Sequence, residues 1–346
     1  RRSRMVYDAD GRQRFSLHAV NASQWVVSES LHDANDNVIE TRRYDKFLDA
    51  ARLDALDTPA SPALDVAELQ AELTALGYGA EDTLSQLQRT RFAYDANNRL
   101  RFTVDALGRV SETVYDAGGL PRTSVRHATP VVLTEHAESA IAAAVNGGHS
   151  RNQITHYAYD SAGRLRYTVQ VLATDRHLVS RQQVDALGRV VATTVYATAV
   201  GALADHESAT LDAAIISSAQ DRRSVFGYDR AGRQVLSAQL LADDQYVVRQ
   251  QEYDAVGRLV KATAYATVWA AFVAPPASAQ DRTTQFVYDA AGRQRYVINA
   301  DGSLQETVYD ALGQVSERRW FDLQLDAQSE RTLGALDARR PHRRVG

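Results

Sequence analysis

The side chains best placed to do chemistry here are aspartates followed four positions later by arginine: Asp8 and Arg12, Asp95 and Arg99, Asp105 and Arg109, Asp160 and Arg164, Asp185 and Arg189, Asp229 and Arg233, Asp254 and Arg258, Asp289 and Arg293. A carboxylate can act as general acid or base or bind a metal ion, and a row of guanidiniums can bind an anionic partner. A catalytic centre needs one constellation, whereas this spacing is written again and again. The structural reading is therefore the stronger one. Each aspartate organises backbone, and each arginine is satisfied locally by neighbouring aspartates and by stacking on tyrosine faces.

Other candidate sites fail on their chemistry. The stretch DANDN, Asp33 to Asn37, has the oxygen spacing that opens a calcium loop, but Val38 stands where the loop glycine belongs and Tyr44 where the closing glutamate should be. His136 and Glu138 form an HxE pair of the kind zinc deaminases use, yet those sites also need cysteine ligands and the chain contains none. The stretch GYGAED from Gly77 lacks the third glycine of a dinucleotide loop, and no HExxH, GxSxG or phosphate loop occurs. The expectation is a protein that is not an enzyme, with no catalytic, cofactor-binding or metal-ligating residue and no cofactor.

What must position the aspartates and arginines is the repeat that contains them. Tyr-Asp-x-x-Gly-Arg opens at Tyr7, Tyr159, Tyr228, Tyr253 and Tyr288, with looser copies opening at His32, Tyr94, Val104, Tyr115, Val184, Ile298 and Tyr309. Across these twelve copies the second residue is aspartate except at Asn299, and the fifth is glycine except at Asp36 and Asn98. Aspartate and asparagine side chains accept a hydrogen bond from the backbone two residues on, and Gly, Asn and Asp tolerate positive φ. Each copy is thus predicted to be a β-hairpin tip: a type I turn, then a left-handed residue forming a bulge, with tyrosine ending one strand and arginine starting the next. In RLRFTV, simple alternation puts Leu100, Phe102 and Val104 on one face and Arg99, Arg101 and Thr103 on the other.

Spacing organises the copies into five units of one array, opening near residues 7, 94, 159, 228 and 288. Helical insertions are expected at about 61–90, 133–147, 205–218 and 323–338. The best marked runs from Ser61 to Gly77, with Val66, Leu69, Leu73 and Leu76 at helical spacing, Asp65 and Glu68 as a capping box, and Gly77 as a stop. Val273 to Asp281 reads as a loop.

The 346 residues suffice for two or three ordinary domains or one extended array, and a net charge of -4, mixed along the chain, provides no footprint for nucleic acid. No apolar run is long enough to span a bilayer, and no signal sequence is visible at the amino end. The start at Arg1 and repeats running almost to both ends suggest an excised piece of something larger.

The copies with their interleaved tyrosines, from Tyr7 to about Phe321 apart from the insertions, resemble the RHS/YD-repeat family, which includes bacterial Rhs polymorphic toxins, the shell-forming components of Tc toxins, and the teneurins. The resemblance implies a mainly β fold in which antiparallel hairpins form part of a curved, spiralling sheet or shell, with short helical insertions between units. It implies a structural segment of a large secreted or cell-surface protein enclosing a carboxyl-terminal toxin or effector. The implied partners are the remainder of the same RHS polypeptide, the encapsulated effector domain, and a secretion apparatus or toxin-complex subunit. The family's core region, with its self-cleavage site near a DPxG-like sequence, has no match here, so no protease residue carries over. The alternative reading is a cell-surface adhesion or carbohydrate-binding module, with exposed tyrosines offering flat faces to sugars.

Overall fold

In the computed structural model, residues 2–56, 65–78, 87–133, 137–145, 147–241, 245–325 and 332–338 are described, and all twelve motif copies are hairpin tips. In each, the amide of the second residue donates to the carbonyl of the sixth and the amide of the fifth donates back to the second. At the first copy these are Asp8 N–H to Arg12 O at 2.9 Å and Gly11 N–H to Asp8 O at 3.0 Å. The fifth residue is left-handed throughout: ten glycines with φ between 74° and 89°, and the two exceptions Asp36 and Asn98 at 64° and 61°. The residue types that vary at this position are the ones able to hold that conformation.

Simple alternation does not survive the turn. Tyr94 faces Leu100, but Ala93 faces Phe102, so Arg101 is an extra residue on the second strand. Because Ala93 and Tyr94 are adjacent and point to opposite faces, Leu100 and Phe102 do too, contrary to the expectation that they share one. Leu100 is accordingly exposed and Phe102 fully buried. Arg101 does not share a face with Thr103 either: its guanidinium reaches Glu112, the cross-strand partner of Phe102, at 2.9 Å. A bulge opposes two residues to one and re-aims a side chain. The same shift makes Arg14 and Arg295 the extra residues beside Phe15 and Tyr296.

The chain divides into two compact units, one of residues 1–158 with 168–177 and the other of residues 159–167 with 178–346. In the first, Ser3–Tyr7, Gln13–Ala19, Gln24–His32, Val38–Arg43, Gln88–Tyr94, Leu100–Val104, Val110–Tyr115, Pro121–Arg126 and Gln153 onward pair in succession, each antiparallel to the next. The second repeats the arrangement from Leu178 through Val190–Val195, Arg222–Tyr228, Gln234–Leu240, Tyr246–Tyr253, Leu259–Ala264, Arg282–Tyr288, Gln294–Ile298 and Ser303–Tyr309 to Val315–Gln324. The protein is mainly β, built from antiparallel hairpins. No described helix is long and apolar enough to cross a membrane.

Short helices lie on the apolar sheet surface. Val66–Ala75 starts at the Asp65/Glu68 capping box and buries Leu69 and Leu73 in a cluster with Phe15, Leu17, Trp25 and Val27. Glu138–Ala144 sets Ile141 against Phe102, Val104 and Val110, and Leu333–Ala338 sets Leu336 against Tyr296, Ile298 and Leu304. Ser208–Ala214 buries Leu211. One helix, Ala50–Leu56, falls outside the expected insertions, and Leu323 and Gln324, expected within the last insertion, belong to the strand Val315–Gln324. Residues 88–90, expected within the first insertion, belong to the strand Gln88–Tyr94, while 61–64 and 79–86 of that insertion, 134–136 and 146 of the second and 326–331 of the last lie outside the described residues.

Two glycine substitutions separate conformational from steric demand. A Cβ on Gly232 meets nothing within 4 Å, so Gly232→Ala should cost only the left-handed penalty, roughly 1 kcal/mol. A Cβ on Gly108 would lie 2.3 Å from the Val131 carbonyl oxygen, so Gly108→Ala should cost severalfold more by denaturant unfolding; equal losses would refute the distinction.

Candidate functional site: an aspartate–arginine–tyrosine ladder

In eight of the eleven motif aspartates, all but Asp105, Asp116 and Asp310, both carboxylate oxygens are used inside the turn. In Asp229, Oδ1 accepts the amides of Ala231 and Arg233, each at 2.9 Å, and Oδ2 accepts Arg233 Nε at 2.7 Å. The left-handed fifth residue makes this possible by turning the amides two and four positions on toward one oxygen. Seven of the eight Asp–Arg pairs close as ion pairs at 2.7–2.8 Å. The exceptional copies find substitutes: Asn37 Nδ2 donates to Asp33 Oδ2 at 2.9 Å, and Asn299 Nδ2 donates to Ser303 Oγ at 2.9 Å.

The rest of the guanidinium serves the neighbouring turn. Arg99 and Arg164 donate to the carbonyls of Asp116 and Asp185 at 3.0 and 3.2 Å. Arg99, Arg189, Arg233, Arg258 and Arg293 lie over the rings of Tyr115, Tyr228, Tyr253, Tyr288 and Tyr309, 4.6–4.8 Å from the centroids. Each of these tyrosines returns a hydroxyl hydrogen bond, 2.7–3.2 Å long, to the carbonyl of the residue after that arginine. Within each unit the turns thus form a directional ladder.

The electrostatics follow from these contacts. Asp160, Asp185, Asp229 and Asp254 are held below the ordinary carboxylate value, chiefly by the backbone amide of the arginine four residues on. In Asp8, Asp95 and Asp289 burial is the largest single influence and pushes upward, but the hydrogen bonds from the turn together outweigh it. These carboxylates are ionised and fully engaged, which suits a fastener and not a proton-transfer group.

A second set of polar contacts joins sheet to helix, and sequence reasoning missed it. Glu29, Glu40 and Glu306 are buried on the apolar side. Glu29 receives Arg14 at 2.8 Å and the Tyr44 hydroxyl at 2.8 Å, and Glu306 receives Arg295 at 2.8 Å. The Tyr167 hydroxyl donates to Asp212 and the Tyr296 hydroxyl to Asp337, both at 2.5 Å. Burial, with Asp212 beside it, pushes the Tyr167 phenol up to about 12. The signals were present as an arginine preceding an aromatic at Arg14, Arg101, Arg166 and Arg295, and as Leu-Asp-Ala beginning at Leu53, Leu211 and Leu336.

The candidate residues therefore separate clearly. DANDN is a hairpin tip, closed by Asp33 N–H to Asn37 O at 2.9 Å. Arg12, Arg99, Arg164, Arg189, Arg233, Arg258 and Arg293 have the local role expected of them, while Arg109 does not pair with Asp105 among the described residues. His136, Gly79 and the residues following it in GYGAED lie outside the described residues.

Fold and ladder together define an antiparallel hairpin array in which most of the motif aspartates, arginines and tyrosines join one turn to the next. No family profile and no curated protein matches the chain. Among solved structures it is similar to a Tc holotoxin pore from Photorhabdus luminescens carrying a TccC3 substitution, at 14% identity and a TM-score of 0.46, covering 91% of this chain and 14% of that one. It is also similar to a TcdB2-TccC3-Cdc42 crystal structure, at 13% identity and a TM-score of 0.34, covering 92% of this chain and 18% of that one. The chain thus spans less than a fifth of each.

Two outcomes test the ladder. Asp95→Ala strips partners from two amides and a guanidinium and should cost roughly 2 kcal/mol in chemical denaturation, with Asp95→Asn less damaging because its amide oxygen still accepts. Because the folded-state values of these aspartates are lowered, their stabilisation is complete above the ordinary value of 3.8 and disappears as pH falls through the lower folded values. Circular dichroism should therefore show acid unfolding that begins only below pH 3.8; loss of structure near neutral pH would contradict this account.

Proposed function

We propose that this chain is a non-enzymatic wall segment of the β-shell of a large secreted RHS-type protein that encloses a carboxyl-terminal toxin or effector encoded downstream. The observation that supports it is the ladder: seven of the eight motif arginines close on the aspartate of their own turn and five of those also lie over a tyrosine of the neighbouring turn, which serves an extended wall. A sheet that closes on itself satisfies its edge strands and encloses volume, so it can hold a cargo chain apart until delivery. The partners in this reading are the remainder of the same polypeptide, its effector domain, and a secretion apparatus or toxin-complex subunit. Sugar binding by the tyrosines fits less well, because an arginine already lies over the rings of Tyr115, Tyr228, Tyr253, Tyr288 and Tyr309.

The strand Val315–Gln324 pairs on one side with Ser303–Tyr309 and has no described partner on the other, while Val315 and Trp320 are exposed at 50% and 72%. Such an edge recruits further strands. Light scattering after size exclusion should show concentration-dependent oligomers of the isolated chain, reduced by the paired substitution Val315→Lys and Trp320→Lys. A monodisperse monomer at high concentration would overturn the wall reading.

A further inference from the structure

We propose that a groove in the first unit, lined by Arg109, Arg126 and Arg151, binds a tetrahedral oxyanion, phosphate or sulfate, either free or as an ester. The starting point is the single motif arginine without a local partner. In the turn at Asp105 the backbone is like the others, with the Leu107 and Arg109 amides on Asp105 Oδ1 at 2.9 Å each. The Arg109 side chain, however, makes no ion pair or hydrogen bond with any described residue. The reason is topological. The Val131 amide donates to Gly108 O at 2.8 Å, so an extended segment covers this turn where elsewhere the next turn would supply a tyrosine and a carbonyl.

Register then brings two more free guanidiniums to the same place. Arg126 faces Ser111 on one side and Gln153 on the other. Continuing that register by two residues sets Arg109 and Arg151 on either side of Ala128, whose small side chain leaves space between them. Neither Arg126 nor Arg151 has a side-chain partner among the described residues, and both are exposed. The resulting groove holds ≈ 340 Å³ and is also lined by Thr103, Ser111 and Gln153, which add neutral donors. Asp105 is the one carboxylate in the lining, so three guanidiniums leave a surplus of positive charge suited to a dianion. A lone carboxylate is satisfied by one guanidinium fork, whereas forks approaching from three strands match an anion with oxygens in several directions. The inference stands independently of the wall reading.

Calorimetric titration of the intact chain at low ionic strength, with inorganic phosphate and with glucose 6-phosphate as probes, tests it. Saturable binding to one site is expected, weakened at least tenfold by Arg109→Gln or Arg126→Gln and unchanged by Arg222→Gln, an exposed arginine of the other unit. An unaltered thermal midpoint would show that the groove variants remain folded. Tighter binding of phosphate would identify the free ion as the natural occupant, tighter binding of the sugar phosphate an ester, and equal binding the shared phosphoryl group; each supports the site. Absence of saturable binding by both probes, or an equal loss with Arg222→Gln, would overturn it.

Discussion

The structure depends on a carboxylate that is satisfied three times over within six residues. Two backbone amides converge on one oxygen and a guanidinium occupies the other, and the left-handed fifth residue alone lets the chain turn tightly enough for this. Charge-assisted bonds to backbone amides are among the stronger interactions available at a surface. Here they also immobilise the arginine, since its Nε is anchored before its outer nitrogens reach the next turn. The ordering cost of a long side chain is thereby shared between two hairpins.

From that anchoring follows a structure that propagates one neighbour at a time. Arg99, Arg189, Arg233, Arg258 and Arg293 each cover the tyrosine of the neighbouring turn, whose hydroxyl reaches back across the previous one. Stability in such arrays is close to a sum of repeat and nearest-neighbour terms. The tolerance of the motif fits this logic. Leu120 and Gln314 replace the arginine, and their amides still donate to Asp116 and Asp310 at 2.8 Å; those turns keep their fold but forgo an ion pair.

The extra residue after the turn carries polarity into the interior. It places Arg14, Arg101 and Arg295 beside aromatic residues on the helix-covered side, where Glu29, Glu112 and Glu306 receive them. Removing one partner of such a buried pair is costly, although an apolar replacement of the whole pair can be equally stable. Their role is better understood as specification: a strand slipped by one residue would leave a buried glutamate without its guanidinium.

The sequence by itself determined the hairpin tips, because turn chemistry is local. Asp36 and Asn98, read as left-handed substitutes for glycine, adopt that conformation, and Asp65 with Glu68 marked the start of its helix. Tertiary structure alone decided which residues share a face, since the bulge at Arg101 is visible only once Ala93 and Phe102 are paired. It also decided that the two-turn helix Ala50–Leu56 forms, and that Arg109 is left free while its seven counterparts are bound. Those outcomes depend on which segment comes to lie against a turn or a sheet, and residues distant in sequence set that through packing and register.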